Sequence, residues 1–154
     1  MTAPDPDREA LERRLGHRFA DPELLTRALT HASYAAEHPA TPAQDALAFL
    51  GDAALSLVVA EHLLRDDPDA TVGRLTPRRA AVVADSGLAG WATRLELGPC
   101  LRLGRGAEQT GGRAIPSILA TTLEAVLGAL YVDGGLPAVR ALVGRLADWS
   151  PPAW

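Results

Sequence analysis

The stretch QDALAFLGDAALSLVVAEHLL, residues 44–64, decides how the rest of the chain is read. It is apolar nearly all round, from Leu47 through Leu50, Leu55 and Val59 to Leu64. A helix with so little polar surface belongs in the middle of a fold or in a subunit interface. Asp45 and Asp52 interrupt that surface. They stand seven residues apart, two helical turns, so their carboxylates share one face, with Ala48 at the intermediate position of the same stripe.

Helical signals continue on both sides. Residues 1–7 hold two prolines and two acids with no apolar period, and are expected to form a tail. Asp7 is placed to cap REALERRLG, which Gly16 ends. Asp21 followed by Pro22 opens one helix through PELLTRALTHASYA, and EHPATPA, residues 37–43, is a loop. Beyond residue 65, Pro68 breaks the chain, Thr76 and Pro77 restart a helix through RRAAVVAD, and Ser86 caps another that Gly98 and Pro99 stop. LRLGRGAEQTGGR, residues 101–113, has four glycines and reads as a loop or arm. A long helix then starts at Pro116, paired glycines follow it at Gly134 and Gly135, and LPAVRALVGRLADW forms the last helix. With no alternating strand pattern, hairpin dipeptide or repeat, the chain is expected to be all-α, one domain over residues 8–149 with six or seven helices and a tail at 150–154.

A chain of 154 residues can bury roughly two thirds of its unfolded surface in a single core. No run of eighteen apolar residues is present and the N-terminus is polar and acidic, which points to a cytoplasmic protein without a membrane span. Cys100 is the sole cysteine, which excludes an internal disulfide and a cysteine-based zinc site. The net charge is −4, whereas a protein whose main task is gripping phosphates shows a basic surplus. All fifteen basic residues are arginine; with neither Lys nor Asn in the chain, this reads as compositional bias and is given no function.

Three patterns stand in order: THASYA at 30–35, ALAFLGDAAL at 46–55, and SILATTLEAVLGALYVDGG at 117–135, with LRLGRGAEQTGGR before the third. Together they resemble the catalytic domain of the ribonuclease III family, from about residue 8 to residue 147. The resemblance implies an all-α nuclease fold, a dimer through the signature helix with Phe49 and Leu50 at the contact, and acids that hold Mg²⁺ for cleavage of double-stranded RNA. Of the four principal acids of that family, Asp52 and Glu124 match, while Ala48 and Thr121 replace the other two. Asp45 matches a further signature acid, and another falls near Val72 or Gly73. Arg74, Arg78, Arg79, Arg102, Arg105 and Arg113 fall in regions that face RNA in the family, although solvated arginines explain them as well. His31, Asp45 and Trp91 each have an ordinary structural reading, as a helix-end histidine, a dipole-complementing acid and a core aromatic, and Trp149 and Trp154 are placed to pack on a partner or on the first helix.

An unpaired carboxylate inside an apolar helix costs several kcal/mol, so Asp52 needs a partner: Thr121, Thr122 or an arginine if it is structural, a cation or ligand if it is functional. The family's additional double-stranded-RNA-binding domain does not follow residue 154, which lowers the expectation of tight autonomous RNA binding. Three readings stand at this point. The first expectation is a catalytically degenerate homodimer that binds or scaffolds structured RNA or an intact nuclease and needs no cofactor. The second is a Mg²⁺-dependent double-strand ribonuclease using Asp52, Glu124 and Asp45. The third is a repurposed fold with a role unrelated to RNA.

Overall fold

A computed structural model describes residues 5–150. Nine α-helices are found among them: α1 (Pro6–Leu15), α2 (Pro22–Ala28), α3 (Ala32–Glu37), α4 (Asp45–Asp66), α5 (Val72–Val82), α6 (Asp85–Arg94), α7 (Leu97–Cys100), α8 (Arg105–Gln109) and α9 (Pro116–Leu146). A single turn of 3₁₀ helix covers Gly112–Ala114, and no strand forms among the described residues. The all-α expectation holds.

α4 and α9 form the central pair. On α4 the buried positions Leu47, Ala48, Gly51, Ala54, Leu55, Val58, Val59 and Leu63 recur every three or four residues and make one continuous face. α9 is buried on all sides between Leu119 and Leu130, because α2 and α6 pack on the flanks that α4 leaves free. By length and composition both helices are apolar enough to cross a membrane, with mean hydropathy 1.7 and 1.4, which the absence of an unbroken apolar run had argued against.

Two glycines set how closely this pair meets. A Cβ on Gly51 would run into the backbone carbonyl of Glu124, and one on Gly128 into that of Leu47. The contact is reciprocal, backbone against backbone, and any side chain at either position would push the helices apart. Arg140 of α9 reinforces the pair at its far end, donating from Nε and Nη2 to the two carboxylate oxygens of Glu61 at 2.9 and 3.0 Å.

Several boundaries depart from expectation, each for a long-range reason. α1 starts at Pro6, inside the expected tail, because the Asp5 carboxylate rather than that of Asp7 accepts from the backbone N–H of Asp7 and Arg8. Residues 1–4 and 151–154, including Trp154, lie outside the described residues. The single helix expected from Pro22 through Ala35 is two. Between them the N–H of Arg102 donates to the carbonyl of Leu29 at 2.8 Å and the N–H of His31 donates to that of Arg102, while Thr30 Oγ1 donates back to the Thr26 carbonyl. A distant segment has captured the backbone groups a continuous helix would use. α5 begins at Val72, before the expected Thr76, and carries Pro77 inside it. Residues 101–113 hold a short helix within the expected loop. The glycine pair ahead of the final helix is a kink within α9, at Gly135 with φ 69°, in the left-handed region that favours glycine.

Asp133, next to that kink, anchors the α1–α2 connection. Its carboxylate lies 2.7 Å from His17 Nε2 and accepts from the backbone N–H of Ala20 and Asp21. Burial pushes the carboxyl up, but His17 and the two N–H donors outweigh it and hold Asp133 below the ordinary aspartate value.

Helix ends are closed by arginines from elsewhere in the chain. Arg14 Nε donates to the carbonyl of Leu95 at the end of α6, Arg94 to that of Leu146 at the end of α9, and Arg145 to those of Arg14 and Leu15 at the end of α1. Each guanidinium satisfies carbonyls that the helix cannot and meets the negative end of its dipole.

Substituting Gly51→Ala is expected to destabilise the protein by more than about 3 kcal/mol, since neither clashing group is a flexible side chain. Urea denaturation followed by circular dichroism measures it, with an exposed Gly90→Ala change on α6 as the control that leaves stability within about 1 kcal/mol.

Candidate functional site

The residue after Gly51 is Asp52, and Glu124 carries the carbonyl that Gly51 touches. The same backbone approach therefore delivers two carboxyl groups to one point between α4 and α9. Their side chains hydrogen-bond to each other. Burial pushes the Glu124 carboxyl up to about 7, aided by the hydrogen bond to Asp52 and by the negative charges of Asp52 and Asp85. Neither Asp52 nor Glu124 enters an ion pair among the described residues. The partner that Asp52 was expected to find in Thr121, Thr122 or an arginine is another acid.

The neighbouring positions are neutral. Ala48 is buried on the core side of the stripe, and Thr121, one turn before Glu124, is half-buried. Thr122 is fully buried; its hydroxyl donates to the Ile118 carbonyl at 2.8 Å and accepts from Gln44 Nε2 at 3.3 Å. Asp45 is exposed in the first turn of α4. Val72 stands 76 % exposed at the start of α5, where the resemblance puts an acid. No group of three or more Asp, Glu, His or Cys residues is arranged to hold a metal ion among the described residues. Asp85, the first residue of α6, escaped the sequence reading because Ser86 looked like the cap; no side chain caps that helix, and the charge of Asp85 bears on Glu124.

The arginines divide into two groups. Arg74 is paired with Asp67 at 2.9 Å and Arg78 with Asp66 at 2.8 Å. Arg113 is committed internally, to Glu108 and to the carbonyls of Gly98, Pro99 and Leu101, and Arg102 to Thr30 and Tyr34. The side chains of Arg79 and Arg105 are exposed and enter no ion pair among the described residues. His31 caps α3, its ring accepting from the N–H of Ser33. Trp91 packs against the core, and Trp149 stacks on His62 of α4 with ring centroids 3.7 Å apart. Phe49 is 83 % exposed on α4, and Leu50 is half-buried.

Two facing carboxylates without a cationic partner fit one Mg²⁺, an ion that takes hard oxygen ligands and keeps several waters when one or two carboxylates hold it. Asp52 and Glu124 are the residues that would hold it.

The raised value of Glu124 sets a pH dependence with a defined sign. Between the ordinary glutamate range and about 7 the folded protein binds more protons than the unfolded chain, so without divalent ions stability is present below that window and falls as pH rises through it. Glu124→Gln is expected to raise stability at pH 8 by about 1 kcal/mol, a figure discounted for the half-exposed setting, and to flatten the melting temperature between pH 5 and 8. Thermal denaturation in EDTA across that range checks it.

Comparison with known proteins follows the same lines. Residues 21–147 match a family model described as Ribonuclease-III-like. The chain is 54 % identical over 138 residues to Ribonuclease 3 of Streptomyces coelicolor, covering 90 % of this chain and 50 % of that protein, and 53 % identical over 127 residues to Ribonuclease 3 of Thermobifida fusca, covering 82 % and 53 %. It thus spans about half the length of these curated relatives. The crystal structure of the nuclease domain of ribonuclease III from Campylobacter jejuni superposes with a TM-score of 0.86 at 35 % identity, over 94 % of this chain and 95 % of that one. A second structure of that domain, described for structural flexibility in the region involved in dimer formation, superposes with a TM-score of 0.85 at 36 % identity, over 91 % and 95 %. These relatives overturn the first expectation, of a catalytically degenerate protein that only binds or scaffolds: proteins about half identical over most of the chain carry the name Ribonuclease 3. The physical reason is that replacing two acids lowers the charge of the pocket without dismantling it, since Asp52 and Glu124 still face each other. The matched residues and the identity together establish that the chain belongs to the ribonuclease-III-like family.

Proposed function

We propose that this chain is a Mg²⁺-dependent endonuclease of double-stranded RNA that works as a homodimer. The observation that carries the reading is the Asp52–Glu124 pair, two hydrogen-bonded carboxyls on facing helices with no cation beside them. Burying like charges together costs stability, and a site that accepts that cost is a candidate for function.

Within this reading each residue has a defined task. The Gly51 and Gly128 contact fixes the separation of α4 and α9, and so the position of both carboxyls. Asp52 and Glu124 supply hard oxygen ligands. Mg²⁺ bound there supplies positive charge to the phosphoryl group under attack and activates water. Before binding, Glu124 holds a proton on its carboxyl near neutral pH, hydrogen-bonded to Asp52, and releases it when the pair becomes fully ionised. Arg79 and Arg105, exposed and without ion pairs among the described residues, are available for duplex phosphates.

The homodimer is proposed on α4. Phe49 is the most exposed of the large apolar side chains, and it lies one turn from Asp52 on the same helix. A second copy covering that surface shelters an aromatic ring that otherwise stands in water.

Labelled duplex RNA incubated with Mg²⁺ or Mn²⁺ is expected to be cut at discrete positions, and Asp52→Asn to reduce the rate by about 10² or more. Binding of the duplex with no cutting under either metal would refute the nuclease reading. In sedimentation velocity the wild-type chain is expected to run as a dimer and Phe49→Glu as a folded monomer.

A further inference from the structure

We infer that each chain holds a single divalent cation, bound directly by Asp52 and Glu124, in place of the pair of ions that a symmetric two-metal clamp employs. The inference rests on the nuclease reading for the identity of the ion and concerns how many this chain's own residues can retain.

The argument is one of charge and ligand number. A two-metal site places its ions about 4 Å apart, where the repulsion between two divalent charges is about four times that between unit charges, so bridging and flanking carboxylates must offset it. Here the carboxylates that meet are two. The position one turn before each is neutral: Ala48 before Asp52, a methyl group facing the core, and Thr121 before Glu124, half-buried. Val72, on the adjacent α5, is apolar and 76 % exposed. No third acid, histidine or cysteine stands at a ligating position among the described residues. Asp85 acts on Glu124 through space, as a charge that favours a cation in the pocket and is not arranged to ligate it with the pair.

Two carboxylates balance one divalent charge and leave a second ion with no neutralising ligand from the protein. Movement of the helices to recruit Asp45 is opposed by the backbone contact of Gly51 and Gly128, and Asp45 lies at the exposed first turn of α4. A second ion would have to be carried in by the phosphates of a substrate.

Mn²⁺ titration of the full chain without RNA, followed by calorimetry and by electron paramagnetic resonance of the free ion, tests the inference. The expected result is one equivalent per chain, weakened tenfold or more by Asp52→Asn, in a variant whose circular dichroism is unchanged. Ala48→Glu combined with Thr121→Asp is expected to bring uptake to two equivalents. Two equivalents in the wild-type chain, no saturable uptake at millimolar Mn²⁺, uptake indifferent to Asp52→Asn, or a folded double variant that still takes one ion would each overturn it. One bound ion in a chain that does not cut RNA would refute the proposed activity and leave the stoichiometry standing; cutting by a chain that binds two would do the reverse.

Discussion

The backbone contact between α4 and α9 at Gly51 and Gly128 is the constraint on which the molecule depends. Glycine at both positions lets each helix touch a carbonyl of the other, closer than any side chain would permit. The buried face of α4 then meets the central, all-round apolar part of α9, and α2 and α6 close around them. The same approach places the residue after one glycine beside the residue whose carbonyl that glycine touches. Packing and chemistry are thus the outcome of a single crossing, and the site inherits its precision from the best-ordered part of the core.

The pair so created is unfavourable by itself. Glu124 is half-buried beside Asp52, and its raised value records the cost of bringing two acids into low dielectric without a counter-charge. Elsewhere the structure shows how this chain treats acids that are structural: Asp133 has His17 and two backbone N–H groups, and Glu61 has both arms of Arg140. The contrast between satisfied and unsatisfied carboxylates marks the functional site more sharply than the presence of acids alone. It also explains why counting missing acids misjudged the activity, since the count leaves out how the remaining two are held.

The local code made much of this readable. The limits of α4, the proline that opens α9, the glycine kink and the importance of Asp52 and Glu124 all follow from periodicity, caps and motif spacing. What escaped was decided by partners far along the chain. The break between α2 and α3 exists because Arg102 takes the backbone groups of Leu29 and His31, and nothing within residues 22–35 announces it. Asp85 reads as an ordinary helix-start acid until α6 is docked on α9. Arg113 and Arg102, candidates for phosphates by position, are occupied by carbonyls and hydroxyls that lie beside them in the folded chain.

Arginine is the sole basic residue type in this sequence, and four of these side chains, Arg14, Arg94, Arg113 and Arg145, end on the carbonyls of other segments. The guanidinium keeps its charge far into alkaline solution and offers five donors in a rigid plane, whereas an ammonium on a flexible stem titrates near pH 10 and points without a fixed direction. What looked like a by-product of nucleotide content therefore has a mechanical result. The ends of the helices are riveted together by contacts that alkali does not discharge, so the tertiary scaffold is insulated from the proton economy that governs its acidic centre.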